Sequence, residues 1–179
     1  VVKSVLADIF YYSFPRDRRA VINNLTTILG SSANDRAIAR MAKDVFRNFA
    51  KYLVDFFRSQ KIDKDYVKQN VKIEGSGNID DALAIGRGVI MLSAHIGNWE
   101  LGASVTAMIG YPISAIVLTH KNKRINDFFT RQRLMGNMKP IEMGASLKSC
   151  YRALGNNELL ALLGDRDFTK SGLSVDFFG

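Results

Sequence analysis

Residues Gly88 to Ala94 read Gly-Val-Ile-Met-Leu-Ser-Ala, a continuous apolar run of strand length. A run without period-two alternation predicts a strand buried on both faces. Leu159 to Leu163 (Leu-Leu-Ala-Leu-Leu) is a second such run. Ile113 to Leu118 and Pro140-Ile141-Glu142 are further strand candidates, and Val71 to Ile73 is a short one. Stretches of helical texture fall between them, over 79–85, 98–109, 124–135 and 145–154. Gly75-Ser76-Gly77 reads as a turn. Regular alternation of strand and helix implies an α/β layered sheet with some parallel pairing, flanked by helices. In such sheets ligands gather at the carboxyl ends of the strands.

A helical segment precedes this region. Val1, Val2, Val5, Leu6, Ile9 and Phe10 form one apolar helical face, and Phe14-Pro15 ends it. A second helix is predicted from Arg16 to Leu29, stopped by Gly30, and a third from Asn34 as N-cap. Phe46, Phe49, Ala50, Leu53, Val54 and Phe57 continue the third as a wide apolar stripe, read as core. The stretch Leu101 to Leu118 is uncharged and near membrane-span length. Gly102, Gly110 and Tyr111-Pro112 interrupt it, so it is read as a helix, a turn and a strand.

The 179 residues suffice for one domain with a core. The single cysteine forbids an intrachain disulfide, and two histidines forbid a metal centre of three or more. The net charge of +8 is uneven. Residues 1–72 carry 14 Lys and Arg against 7 Asp and Glu; residues 73–179 carry 11 against 10. The basic part suits an anionic membrane surface, an acidic carrier protein, nucleic acid, or simply water.

His95 follows directly on the first apolar run, so its imidazole belongs at a strand's carboxyl end. Gly97 permits a tight turn, Asn98 caps the next helix, and Glu100 falls in that helix's first turn, where the helix field favours a carboxylate. A carboxylate on one imidazole nitrogen sets the tautomer and steadies the imidazolium, leaving the other nitrogen to take a proton. A free imidazole titrates near ~6.5, and such a base is worth roughly 10²–10⁴-fold in rate. A lone histidine beside a turn is more often structural, but its place after a buried strand, with no other histidine–carboxylate pair so well placed, shifts the odds toward function.

The phrase Gly88-Val-Ile-Met-Leu-Ser-Ala-His95-Ile-Gly-Asn-Trp-Glu100-Leu-Gly resembles the H-x4-D/E block of the lipid A biosynthesis (lauroyl/myristoyl) acyltransferases, within the glycerolipid acyltransferase group. Pro15 to Leu25, Lys123 to Gly136, Gly164-Asp165-Arg166-Asp167 and Val175 to Gly179 resemble further segments of that family in the same order. The resemblance covers nearly the whole chain. It implies a glycerol-3-phosphate acyltransferase-like fold, helical over 1–70 and α/β over 71–179, in one acyltransferase domain. It implies acyl transfer from acyl carrier protein or coenzyme A, without a cofactor or metal, to a hydroxyl of a membrane lipid such as a lipid A precursor. The implied place is the cytoplasmic face of a bacterial inner membrane. His95 maps to the general base, and Glu100 and Asp165 both map to its acidic partner. Arg133 or Arg131 maps to the family arginine that aids acceptor or phosphate binding. Asn98, Arg166 and Asp167 lie beside these positions and complete the set expected around the substrate. Relatives begin with a hydrophobic anchor, of which Val1–Phe14 resembles at most the tail, and continue past Phe-Phe-Gly. A longer protein is therefore expected.

Other features admit two readings. A thioester is already activated, and no Gly-x-Ser-x-Gly elbow is present; Cys150 reads as a small core residue rather than a nucleophile. Backbone N–H groups of Gly97 to Trp99 are candidates for an oxyanion site. Trp99 either shapes an acyl groove or packs in the core. Lys121-Asn122-Lys123-Arg124 beside His120 either meets phosphates or is solvated. Two other functions remain: a hydrolase using the same histidine and carboxylate, and a nucleic-acid-binding module. No zinc-finger, KH or RRM pattern supports the second, and no nucleic-acid partner is expected.

Overall fold

A computed structural model describes residues 2–30, 34–144, 147–166, 172, 175 and 176. Two compact units are present, one holding two helices and most of a third, the other running from Phe56 through the last strand.

In the first unit, α1 (Val2–Ser13) ends before Pro15, which opens α2 (Pro15–Leu29) at the position where a missing N–H costs nothing. α3 (Asp35–Arg58) follows. Ala7, Tyr11, Ile38 and Ala42 are buried, and Tyr11 meets Phe46 edge to face at 5.4 Å. Arg47 reaches Asp8 at 3.2 Å. The stripe on α3 is wider than its core. Phe49 and Phe57, expected inside, are exposed, whereas Ile38, Ala42 and Phe56 carry the burial. A stripe of that width exceeds the arc one neighbouring element covers.

In the second unit, a 3₁₀ turn (Ser59–Lys61), α4 (Lys64–Asn70) and α5 (Ser76–Leu83) lead to β1 (Val89–Ser93). Then come α6 (Trp99–Met108), β2 (Ile113–Val117), α7 (Lys123–Met135), β3 (Met138–Glu142), α8 (Leu147–Gly155) and β4 (Leu159–Leu163). All strand pairs are parallel, in the order β1-β4-β2-β3. The α/β reading holds. Ile113, Ala115, Met138 and Leu159 form the core, with Ile79, Leu83, Val89 and Met91 packed on it. Pro140 is accommodated because β3 is an edge strand. Phe56 stacks on Phe129 of α7 at 4.8 Å. No helix among the described residues is long and apolar enough to cross a membrane.

Three expectations need correction. β1 is not buried on both faces: it lies at the sheet edge, and Ile90 and Leu92 are 58% and 72% exposed. An apolar run has the same appearance at the edge and in the centre. Val71 to Ile73 forms no strand; Val71 is extended but caps α4 through its N–H to Val67 and has no ladder partner. Gly75-Ser76-Gly77 is a helix start, with Gly75 at φ +77° as N-cap of α5.

The approach of the start of β1 to the end of α8 depends on Gly88. Its φ is +68°, and a Cβ there would lie 2.6 Å from both the Cα and the carbonyl oxygen of Leu154. Its N–H donates to Asn157 Oδ1 at 2.9 Å. Gly88→Ala is expected to cost more than the ~1–2 kcal/mol of the left-handed conformation, because rigid backbone must also shift. Urea midpoints of the two proteins check this; an unchanged midpoint contradicts it.

Candidate active site

Parallel register builds the site. Ser93 of β1 pairs with Leu163 of β4, so His95 and Asp165, each two residues further on, emerge side by side at the carboxyl ends. Gly164 N–H donates to Ser93 O at 3.0 Å and holds the two strand ends together. Ile96 N–H turns back to Ala94 O at 2.8 Å, and Gly97 takes φ +64°. Asn98 Oδ1 then accepts from Leu101 N–H at 3.1 Å and caps α6.

The Asp165 carboxylate grips His95 twice. Oδ1 lies 2.7 Å from ring Nδ1, and Oδ2 accepts the His95 backbone N–H at 2.9 Å. Burial pushes the Asp165 carboxyl up, but the backbone and ring hydrogen bonds from His95 outweigh it and hold the group below its ordinary value. An ionised carboxylate only accepts, so Nδ1 carries the proton and the lone pair of the neutral ring sits on Nε2. Trp99 meets the ring edge to face at 4.8 Å. The histidine side chain is 24% exposed, within reach of a ligand.

Glu100, the other candidate partner, is engaged elsewhere. It is buried, and Arg133 Nε donates to its two oxygens at 3.2 and 3.1 Å, while Nη2 also reaches Oε1. Both side chains are 9% exposed. Small residues allow this approach: a Cβ at Gly136 would lie 2.7 Å from Ser104 Oγ, and Ser104 donates to the Glu100 carbonyl at 3.0 Å. The Arg133 guanidinium also lies 5.5 Å from the Phe129 ring centre. Ser104 and Gly136 were not singled out from the sequence; the one available signal was Ser104 standing four residues after Glu100.

The remaining candidates scatter. Arg131 and Arg166 are exposed, and Asp167 lies outside the described residues. Asn98 Nδ2 is buried without a hydrogen-bond partner among the described residues. His120 stands after β2 with its ring 4.6 Å from that of Phe129, and its N–H donates to Asn126. Asn122 caps α7, leaving Lys121, Lys123 and Arg124 exposed at its start. Cys150 is half-buried on α8.

The protein is thus of the α/β class, with a histidine held at Nδ1 by a carboxylate at the carboxyl ends of a parallel sheet. The chain belongs to the bacterial lipid A biosynthesis acyltransferase family, whose profile matches residues 3–179. It is 24% identical over 165 residues to a phosphatidylinositol mannoside acyltransferase of Mycolicibacterium smegmatis, covering 87% of this chain and 52% of that protein. The phosphatidylinositol mannoside acyltransferase of Mycobacterium tuberculosis H37Rv is 25% identical over 138 residues, covering 74% and 44%. The chain thus spans about half the length of these relatives or less.

Proposed function

We propose that this chain carries the acyl-transfer centre of an enzyme that moves a fatty acyl group from a thioester to a hydroxyl of a membrane glycolipid. The Asp165–His95 pair supports this reading most directly. His95 Nε2 takes the proton of the acceptor hydroxyl as its oxygen attacks the thioester carbonyl. The tetrahedral oxyanion collapses, the C–S bond breaks, and the imidazolium returns the proton to the leaving sulfur. Asp165 keeps Nδ1 protonated and stabilises the transient positive charge. Backbone N–H groups of Gly97 to Trp99 are the proposed oxyanion donors. The thiol carrier is acyl carrier protein or coenzyme A. The names of the relatives favour a mannosylated phosphoinositide acceptor, and the family's name favours a lipid A precursor; both present sugar hydroxyls. Glu100 and Arg133 act as positioning residues for the start of α6, and Asn98, Arg131, Arg166 and Asp167 are proposed to meet the substrate.

The test supplies acyl-thioester to the full chain with and without glycolipid acceptor. Acceptor-dependent thiol release with an acylated lipid product supports transfer. Equal release without acceptor means hydrolysis and overturns it.

An anionic membrane surface is proposed to present the acceptor. Ile9, Phe10, Tyr12 and Phe14 are exposed beside Arg16 and Arg19, and each basic side chain near such a surface contributes about 1 kcal/mol. Phe10 and Phe14 stack at 4.1 Å. The double change Phe10→Ser, Phe14→Ser is expected to reduce co-sedimentation with anionic vesicles by at least roughly tenfold, since each loses buried apolar area. Undiminished binding would place the contact elsewhere.

A further inference from the structure

A cleft with several polar side chains lies at the opposite ends of the strands from His95. Its volume is about 190 Å³, and its lining includes Ser114, Lys139, Ser149, Arg152, Asn156 and Glu158. Ser114 and Lys139 are register partners on β2 and β3, and Glu158 immediately precedes β4. Glu158 is buried at 6% exposure, yet it accepts from Lys139 Nζ at 2.6 Å and Ser114 Oγ at 2.7 Å. Burial pushes its carboxyl up, but the bonds from Lys139, Ser114 and Asn156 outweigh this and keep it low. The floor of the cleft is therefore a satisfied, ionised pair.

Arg152 is not part of that pair. It is exposed on α8, and its guanidinium has no hydrogen bond or ion pair among the described residues. Among the described lining residues the one acid is already neutralised by Lys139, leaving two cations to one anion. Ser149, and Asn156 whose amide also bonds Glu158, line the cleft as well. A planar guanidinium beside an ammonium matches the oxygens of a phosphate. The volume falls below the roughly 300–1,000 Å³ of sites that enclose drug-sized ligands, which disfavours an acyl chain or a coenzyme.

We propose that this cleft binds the phosphate monoester group of a small polar molecule, at a site separate from the His95–Asp165 pair and independent of the acyl-transfer reading. That group reaches the protein either on a soluble metabolite or on a lipid headgroup. Glycerol 3-phosphate is titrated into the full chain by calorimetry, and vesicles of phosphatidylcholine with and without phosphatidic acid are tested alongside. Saturable binding of either probe, weakened roughly tenfold or more by Arg152→Ala and unaffected by Lys148→Ala outside the cleft, supports the site. Binding of glycerol 3-phosphate identifies a soluble source; binding of phosphatidic acid vesicles alone identifies a lipid one. Because the Arg152 guanidinium makes no bond among the described residues, its replacement is expected to leave the melting temperature unchanged. Absence of binding to both probes, equal binding by Arg152→Ala, or equal weakening by Lys148→Ala overturns the proposal.

Discussion

His95→Ala is expected to lower acyl transfer by roughly 10²–10⁴-fold, the usual worth of a positioned general base, with the melting temperature near that of the parent. The ring is partly exposed and its bonds run to Asp165, itself at the surface, so no core contact is lost. Asp165→Asn is expected to fall in the same range for a different reason. An amide offers an N–H as well as an oxygen, so it no longer compels Nδ1 to hold the proton, and the imidazolium loses its counter-charge. Steady-state rates with acyl-thioester and glycolipid, with circular dichroism as a fold control, measure both. Near-parental activity of His95→Ala removes the ring from the chemistry. Near-parental activity of Asp165→Asn leaves the ring in place but dismisses its partner.

Arg133→Ala and Glu100→Ala are expected to act mainly on stability, each by about 3–5 kcal/mol, because each strands a buried charge of the other sign. The double change to apolar residues of similar size, Glu100→Leu with Arg133→Met, is expected to lose far less than the two single losses together. Denaturant midpoints of the parent, Glu100→Leu, Arg133→Met and the double change form the cycle. The Glu100–Arg133 pair sits at the start of α6, next to the Asn98 cap and Trp99, which touches the His95 ring. Residual activity should therefore drop through kcat as the ring loses its support. If Arg133→Ala melts like the parent and raises only the acceptor KM, Arg133 contacts the acceptor and the pair is not structural.

Chain-local physics was legible in the residues. Apolar runs at 88–94 and 159–163 predicted strands, Asn98 predicted a cap, and Pro15 predicted a helix boundary; all of these stand in the structure. His95 at a strand's carboxyl end was legible too, since it follows from one strand and one turn. Burial was less so: Ile90, Leu92, Phe49 and Phe57 are apolar yet exposed, because coverage depends on which neighbour an element receives.

The choice between Glu100 and Asp165 as the carboxylate beside His95 lay wholly in the tertiary structure. Glu100 is five residues from the ring in sequence and Asp165 is seventy. Parallel pairing of β1 with β4 sets Ser93 against Leu163 and so delivers Asp165 to the imidazole, while the turn at Gly97 and the close approach of Ser104 to Gly136 bring Glu100 to Arg133. Residue types and local spacing determine which groups are available for proton transfer. Strand order and register, set by burial across the whole sheet, determine which of them meet.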